Sequence, residues 1–149
     1  MKLLNLISYI ILLFGLFSCS QEQQKINTTN KKIKIHYGNF DLIKDFKAII
    51  LIPREGCGGC ISDATAKTME IMANRRDILL IFTDVTDMKL LNNQFGNNLL
   101  KDCNVTIDTL NLFVDKRVSS IYPQIFYLIN GKCVFFETFD ITSEKFITL

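Results

Sequence analysis

Tryptophan is absent from this sequence, histidine occurs once and proline twice. A single histidine, His36, leaves little for a histidine-built metal centre. As the base of a cysteine hydrolase it would leave the second member of the Cys57–Cys60 pair without a role. An excess of either charge is also missing: 17 Lys+Arg against 15 Asp+Glu give a formal net charge of +2, too small to argue for nucleic acid. The densest basic stretch, Lys31-Lys32 with Lys34, has no interleaved aromatic residues on which bases would stack. Gly56-Cys57-Gly58-Gly59 lacks the following lysine and hydroxyl of a phosphate loop. There is no internal repeat and no low-complexity domain. What remains is an ordinary folded composition, 48% hydrophobic and 21% charged, in 149 residues that suit one domain.

Long apolar runs are confined to a few places, and the first lies at the N-terminus. Lys2 supplies a cationic start, and Leu3 to Phe17 is then almost wholly apolar. A run of about fifteen residues is short for a bilayer span but right for the hydrophobic region of an export signal. Residues 1–18 are therefore expected to be a signal peptide. Residues 19–30 hold one aliphatic side chain from Ser20 to Asn30 and are expected to be a polar tether. Residues 31–149 are left as the folded domain.

Within that domain Ile33, Ile35 and Tyr37 alternate with Lys32, Lys34 and His36, which predicts a half-buried edge strand. Ala48 to Ile52 is a continuous apolar run ended by Pro53, the pattern of a strand buried on both faces. Ile61, Ala64, Thr68 and Ile71 recur at helical spacing, closing near Asn74. Ile78 to Phe82 is a second buried strand, completing a strand–helix–strand unit expected to be right-handed. Met88, Leu91, Phe95 and Leu99 share a helical stripe that Gly96-Asn97-Asn98 interrupts, and Thr109 to Val114 is read as a strand. Gln124–Ile129 and Lys132–Phe136 flank Asn130-Gly131, the dipeptide of a two-residue hairpin turn. Ile141 to Leu149 is expected to form a short closing helix.

The chain has five cysteines. Cys57 and Cys60 stand between a buried strand and an amphipathic helix. That context puts Cys57 at the helix N-terminus, where free amides and the helix dipole favour an anion. A thiolate there would be the attacking nucleophile, and Cys60, one turn inside, is placed to resolve the mixed disulfide. A zinc site would need two further ligands; Cys103 and Cys133 lack paired spacing. Those two cysteines are open to three readings: buried and inert, a mutual staple, or a redox relay. Glu55, two residues before Cys57, is the candidate proton acceptor, against the alternative of an exposed turn carboxylate.

Two resemblances extend this reading. Leu16-Phe17-Ser18-Cys19 resembles the lipobox of bacterial lipoproteins, which implies that Cys19 is lipidated and that the mature chain is anchored through lipid. Ser20 after that cysteine points to the outer membrane. The stretch from Ala48 to Phe136 resembles the thioredoxin-like envelope oxidoreductases of the TlpA and ResA type. Ile49 to Cys60 and Tyr122 to Lys132 carry the likeness. It implies a thioredoxin-like α/β fold, a central mixed sheet with helices on both faces. It also implies a cis bond before Pro123 beside the cysteines, with the Tyr122 backbone open to a substrate chain. The long stretch between Cys60 and Pro123 resembles that type's extra strand and helix, at roughly Thr86 to Val118. Gly56 stands where the family has tryptophan, Gly59 where thioredoxin has proline, and Leu51 where thioredoxin has its buried acid.

The expected function is thiol–disulfide exchange, as a disulfide reductase acting on exported cysteine-containing proteins in the bacterial cell envelope, at the outer membrane facing the periplasm. No cofactor beyond the Cys57–Cys60 couple is expected; a membrane thiol reductase is the candidate electron donor. The alternative is a tethered binding module of the same fold, with the C-x-x-C as structural disulfide or metal site.

Overall fold

The computed structural model describes residues 21–95, 102 and 104–140. Its centre is a five-stranded mixed sheet in the order β3-β2-β1-β4-β5. Strand β1 (Ala48–Pro53) lies in the middle and β2 (Ile78–Thr83) runs parallel to it, Ala48 beside Ile78 and Pro53 beside Thr83. Every residue of both strands is buried, which explains why they read as unbroken apolar runs rather than alternating ones. The short β3 (Val105–Ile107) adds parallel to β2, while β4 (Gln124–Ile129) and β5 (Lys132–Thr138) add antiparallel on the other side of β1. The β4–β5 turn holds Asn130 at φ 50° and Gly131 at φ 74°, the two positive angles a type I′ turn requires.

The period of two along β1 sorts its side chains between two cores. Ala48, Ile50 and Ile52 face α2 (Gly58–Met72) and α3 (Met88–Phe95), packing with Ile61, Ala64, Met72 and Leu91. Ile49 and Leu51 face the opposite side, where they join Ile33, Phe113, Val118 and Phe126. The sheet is therefore covered by helix on both faces.

The helix on that second face corrects the expected edge strand. Residues 21–37 form one helix, α1, so Ile33, Ile35 and Tyr37 are helical and the tether expected through Asn30 is helical from residue 21. Its inward stripe runs Ile26, Thr29, Ile33 and Tyr37, at helical spacing; Thr29 and Ile33 are both fully buried, whereas Ile35 is half exposed. Asn30, on the same side, clamps the β5 backbone. Its amide nitrogen donates to the Cys133 carbonyl (2.9 Å), and its oxygen accepts from the Cys133 N–H (2.7 Å). Lys25 reaches across to the start of β4. Gln124 directs its amide nitrogen at the Val118 carbonyl (2.7 Å) and its oxygen accepts from Lys25 Nζ (2.7 Å). The other end of α1 is held by an ion pair between Lys32 and Asp115 at 3.2 Å.

The expected strand from Thr109 to Val114 is also corrected. The strand in this region is β3, ending at Ile107; Asn111 sits in the left-handed region at φ 51° and Leu112–Val114 form a 3-10 turn. Asp108 is the cause. Its carboxylate is buried and accepts from the N–H groups of Leu112 (2.9 Å) and Phe113 (2.8 Å) and from the Thr83 hydroxyl (2.9 Å). Amides held by a side chain in this way cannot continue a strand ladder. The signal segment, Cys19, Leu99, Cys103 and the expected closing helix lie outside the described residues. Among the described residues no helix is long and apolar enough to cross a membrane.

Candidate functional site

Strand β1 delivers the chain to the edge of the sheet at Pro53, and Arg54 to Gly56 turn it into α2. Cys57 is the N-cap of that helix, with φ −69° and ψ 97° and its Sγ accepting from the Cys60 N–H at 3.4 Å. Cys57 and Cys60 are disulfide-bonded, their Cα atoms 5.2 Å apart. The helix N-terminus was thus correctly placed from the strand–turn–helix pattern. The Cys57 sulfur thus lies at the positive end of the α2 dipole, against the Cys60 amide. Gly58 and Gly59 are exposed, and a Cβ on either would meet nothing within 4 Å, so the approach to the cysteines is open.

Gly56 is different. It adopts φ 150°, and a Cβ there would run into the carbonyl of Ile121. That same carbonyl accepts from the Cys57 N–H at 3.2 Å. The segment before β4 is therefore pressed against the turn that carries Cys57, and only glycine permits the approach. Ile121 is the neighbour that the sequence reading missed. Its contribution is a backbone oxygen, which no side-chain pattern reveals; the one available signal was a glycine directly before the cysteine.

The structure corrects the expected cis bond before Pro123: every described peptide bond is trans. Trans is the lower-energy isomer of an X–Pro bond, and the local hydrogen bonding is met without the cis form. Ile121 binds the motif, the Tyr122 N–H donates to Ser120 Oγ (3.0 Å), and the Pro123 carbonyl accepts from Phe139 N–H (2.8 Å). Pro123 is buried, whereas Tyr122 is 43% exposed beside the motif. Glu55 is exposed and lines a cleft with Tyr122, a lining to which neither cysteine contributes. Cys60 instead borders a second cleft with Asp63, Phe139 and Asp140.

The remaining candidates lie elsewhere. His36, near the end of α1, packs edge-on against Tyr37 and Phe113. Burial lowers its pKa, opposed by the charge of Asp108. Cys133 is a free, buried cysteine whose thiol is pushed up to about 12, chiefly by burial. Among the described residues no group of three or more potential ligands is placed to hold a metal ion. No family model, no curated protein and no solved structure matches the chain.

Proposed function

We propose that the protein is a thioredoxin-like thiol–disulfide oxidoreductase of the bacterial envelope, anchored through lipid on Cys19 and acting on exported cysteine-containing proteins. The observation that carries the proposal is the seat of the Cys57–Cys60 pair. Cys57 caps a helix that follows a fully buried central strand, and the backbone of a second segment lies against it. The β2-β1-β4-β5 part of the sheet, parallel then antiparallel about β1, supports a thioredoxin-like arrangement.

The reaction balances within the two dithiol–disulfide couples. The Cys57 thiolate attacks one sulfur of a substrate disulfide, forming a mixed disulfide and releasing the other substrate sulfur as a thiolate. Cys60, once deprotonated, attacks Cys57 Sγ and displaces the second substrate thiolate. Two electrons have then passed to the substrate, the Cys57–Cys60 disulfide is formed, and the protons of the dithiol end on the product thiols or in solvent. Leu51 is apolar and cannot take the Cys60 proton. A membrane thiol reductase would return the electrons. Tyr122, exposed beside the motif, would meet the substrate chain.

The test is multiple-turnover reduction of a disulfide peptide with a small dithiol as electron source. The reading requires turnover above the uncatalysed rate, abolished in both Cys57→Ser and Cys60→Ser. Turnover no faster than the dithiol alone would refute it. Zinc co-purifying with the reduced protein and lost in either variant would establish the metal-site alternative instead.

A further inference from the structure

Next to the cysteine pair the ends of β1 and β2 and the segment before β4 enclose a cleft of about 260 Å³. Of its lining, Leu51 and Pro53 are buried, while Ile121 and Tyr122 stand 60% and 43% exposed. The charged side chains of its lining are two carboxylates, Glu55 and Asp84. Neither belongs to an ion pair among the described residues. Two cations are bonded close to this lining, Lys25 to the amide oxygen of Gln124 (2.7 Å) and Arg54 to the Asp87 carbonyl (3.4 Å), and neither pairs with Glu55 or Asp84. Asp84 directly follows β2, in the left-handed region at φ 60°.

The size, walls and charge favour one kind of occupant. The volume falls below the range of about 300–1,000 Å³ in which whole small molecules are held, so a single side chain fits better than a cofactor. Apolar walls with two unpaired carboxylates suit a side chain with a hydrocarbon stem and a cationic head. The cleft also adjoins the cysteine motif: the Ile121 carbonyl is bonded to Cys57 N–H, and the same residue lines the cleft. We infer that this cleft selects a lysine or arginine side chain adjacent to the disulfide that the Cys57–Cys60 pair exchanges. The inference rests on the proposed oxidoreductase reading and names its substrate class, polypeptides with a basic residue beside the target cysteine.

Binding and chemistry are measured separately, so that the two ideas fail separately. The oxidised full-length protein is titrated with three disulfide-containing peptides that differ only in carrying Lys, Ala or Glu beside one cysteine, and amide shifts are followed by NMR. The lysine peptide should bind about five- to twentyfold more tightly than the glutamate peptide at low salt, with alanine between them. The gap should shrink in about 0.5 M salt. Asp84→Asn, which tolerates the left-handed backbone, should narrow it, and Glu55→Lys should reverse it. Equal affinities for the three peptides, or a lysine preference that survives both variants, would overturn the inference even if all three peptides are reduced. A lysine preference in binding without reduction of any peptide would uphold the cleft's selectivity and count against the redox reading alone.

Discussion

Replacing Asn30 by alanine separates a folded helix from a tether more sharply than any other change in α1. In the structure the Asn30 amide is the partner of both the N–H and the carbonyl of Cys133, at 2.7 and 2.9 Å, beside a residue only 2% exposed. Truncation removes two hydrogen bonds and strands two backbone groups, each costing about 1–3 kcal/mol when buried. Water can reach part of the site, so a gross loss of about 2–4 kcal/mol is reasonable. Alanine is a better helix former than asparagine by up to about 0.7 kcal/mol, which offsets some of it. The net destabilisation should be about 1.5–3 kcal/mol, read as a lower urea midpoint with unchanged slope by circular dichroism. Asn27→Ala, one turn earlier and exposed, carries the same propensity gain with only a surface contact from Gln23 to lose, so it should be neutral or slightly stabilising. If the two variants agree within about 0.5 kcal/mol, the docking of α1 through Asn30 is wrong.

Gly56→Ala should destabilise by at least about 2 kcal/mol, since it combines a disfavoured backbone angle with a collision on Ile121; Gly58→Ala and Gly59→Ala should cost little, and equal denaturation midpoints for all three would contradict the geometry. Cys133 should resist alkylation in the native oxidised protein at pH 8 and react at once in denaturant, and rapid native labelling would show that its burial is wrong. Because its thiol ionises near 12 when folded and near 9 when unfolded, stability attributable to it is complete below about pH 9 and falls as pH rises toward 12, by at most about 1.4 kcal/mol per unit; Cys133→Ala should flatten that part of the urea–pH curve. Cys19→Ala should release the protein from membranes or leave the precursor uncut, whereas a free thiol on Cys19 in membrane-bound wild type would rule out lipidation.

The two central strands were legible because their burial is carried by apolar side chains. Ala48–Ile52 and Ile78–Phe82 are apolar without interruption because both faces are covered, and Asn130-Gly131 carries its turn chemistry in the residue types themselves. Helix α1 was hidden because its inward face uses Thr29 and Asn30 as well as Ile26 and Ile33. A search for aliphatic residues sees a polar tether there. The alternation of Ile33, Ile35 and Tyr37 is equally compatible with a helix in which Ile35 faces out. The 3-10 turn after β3 depends on which amides the Asp108 carboxylate captures, a contact that residue types do not specify. At the site, the helix cap at Cys57 followed from strand, turn and helix in order. The Ile121 carbonyl and the isomer at Pro123 are backbone facts, and the likeness that suggested a cis bond gave no physical reason for one in this chain.

The central claim is that Cys57 attacks and Cys60 resolves, and the direct measurement is capture of partners by the two single variants. Cys60→Ser and Cys57→Ser are expressed in turn in cells, thiols are trapped in acid, and mixed disulfides are counted on non-reducing gels. The helix-capping position of Cys57 predicts that Cys60→Ser accumulates mixed disulfides with envelope proteins, because the attacking thiolate remains and the releasing step is gone. Cys57→Ser should capture few or none. Equal capture by both, or none by either with equal losses of stability, would contradict the assignment and favour a structural disulfide.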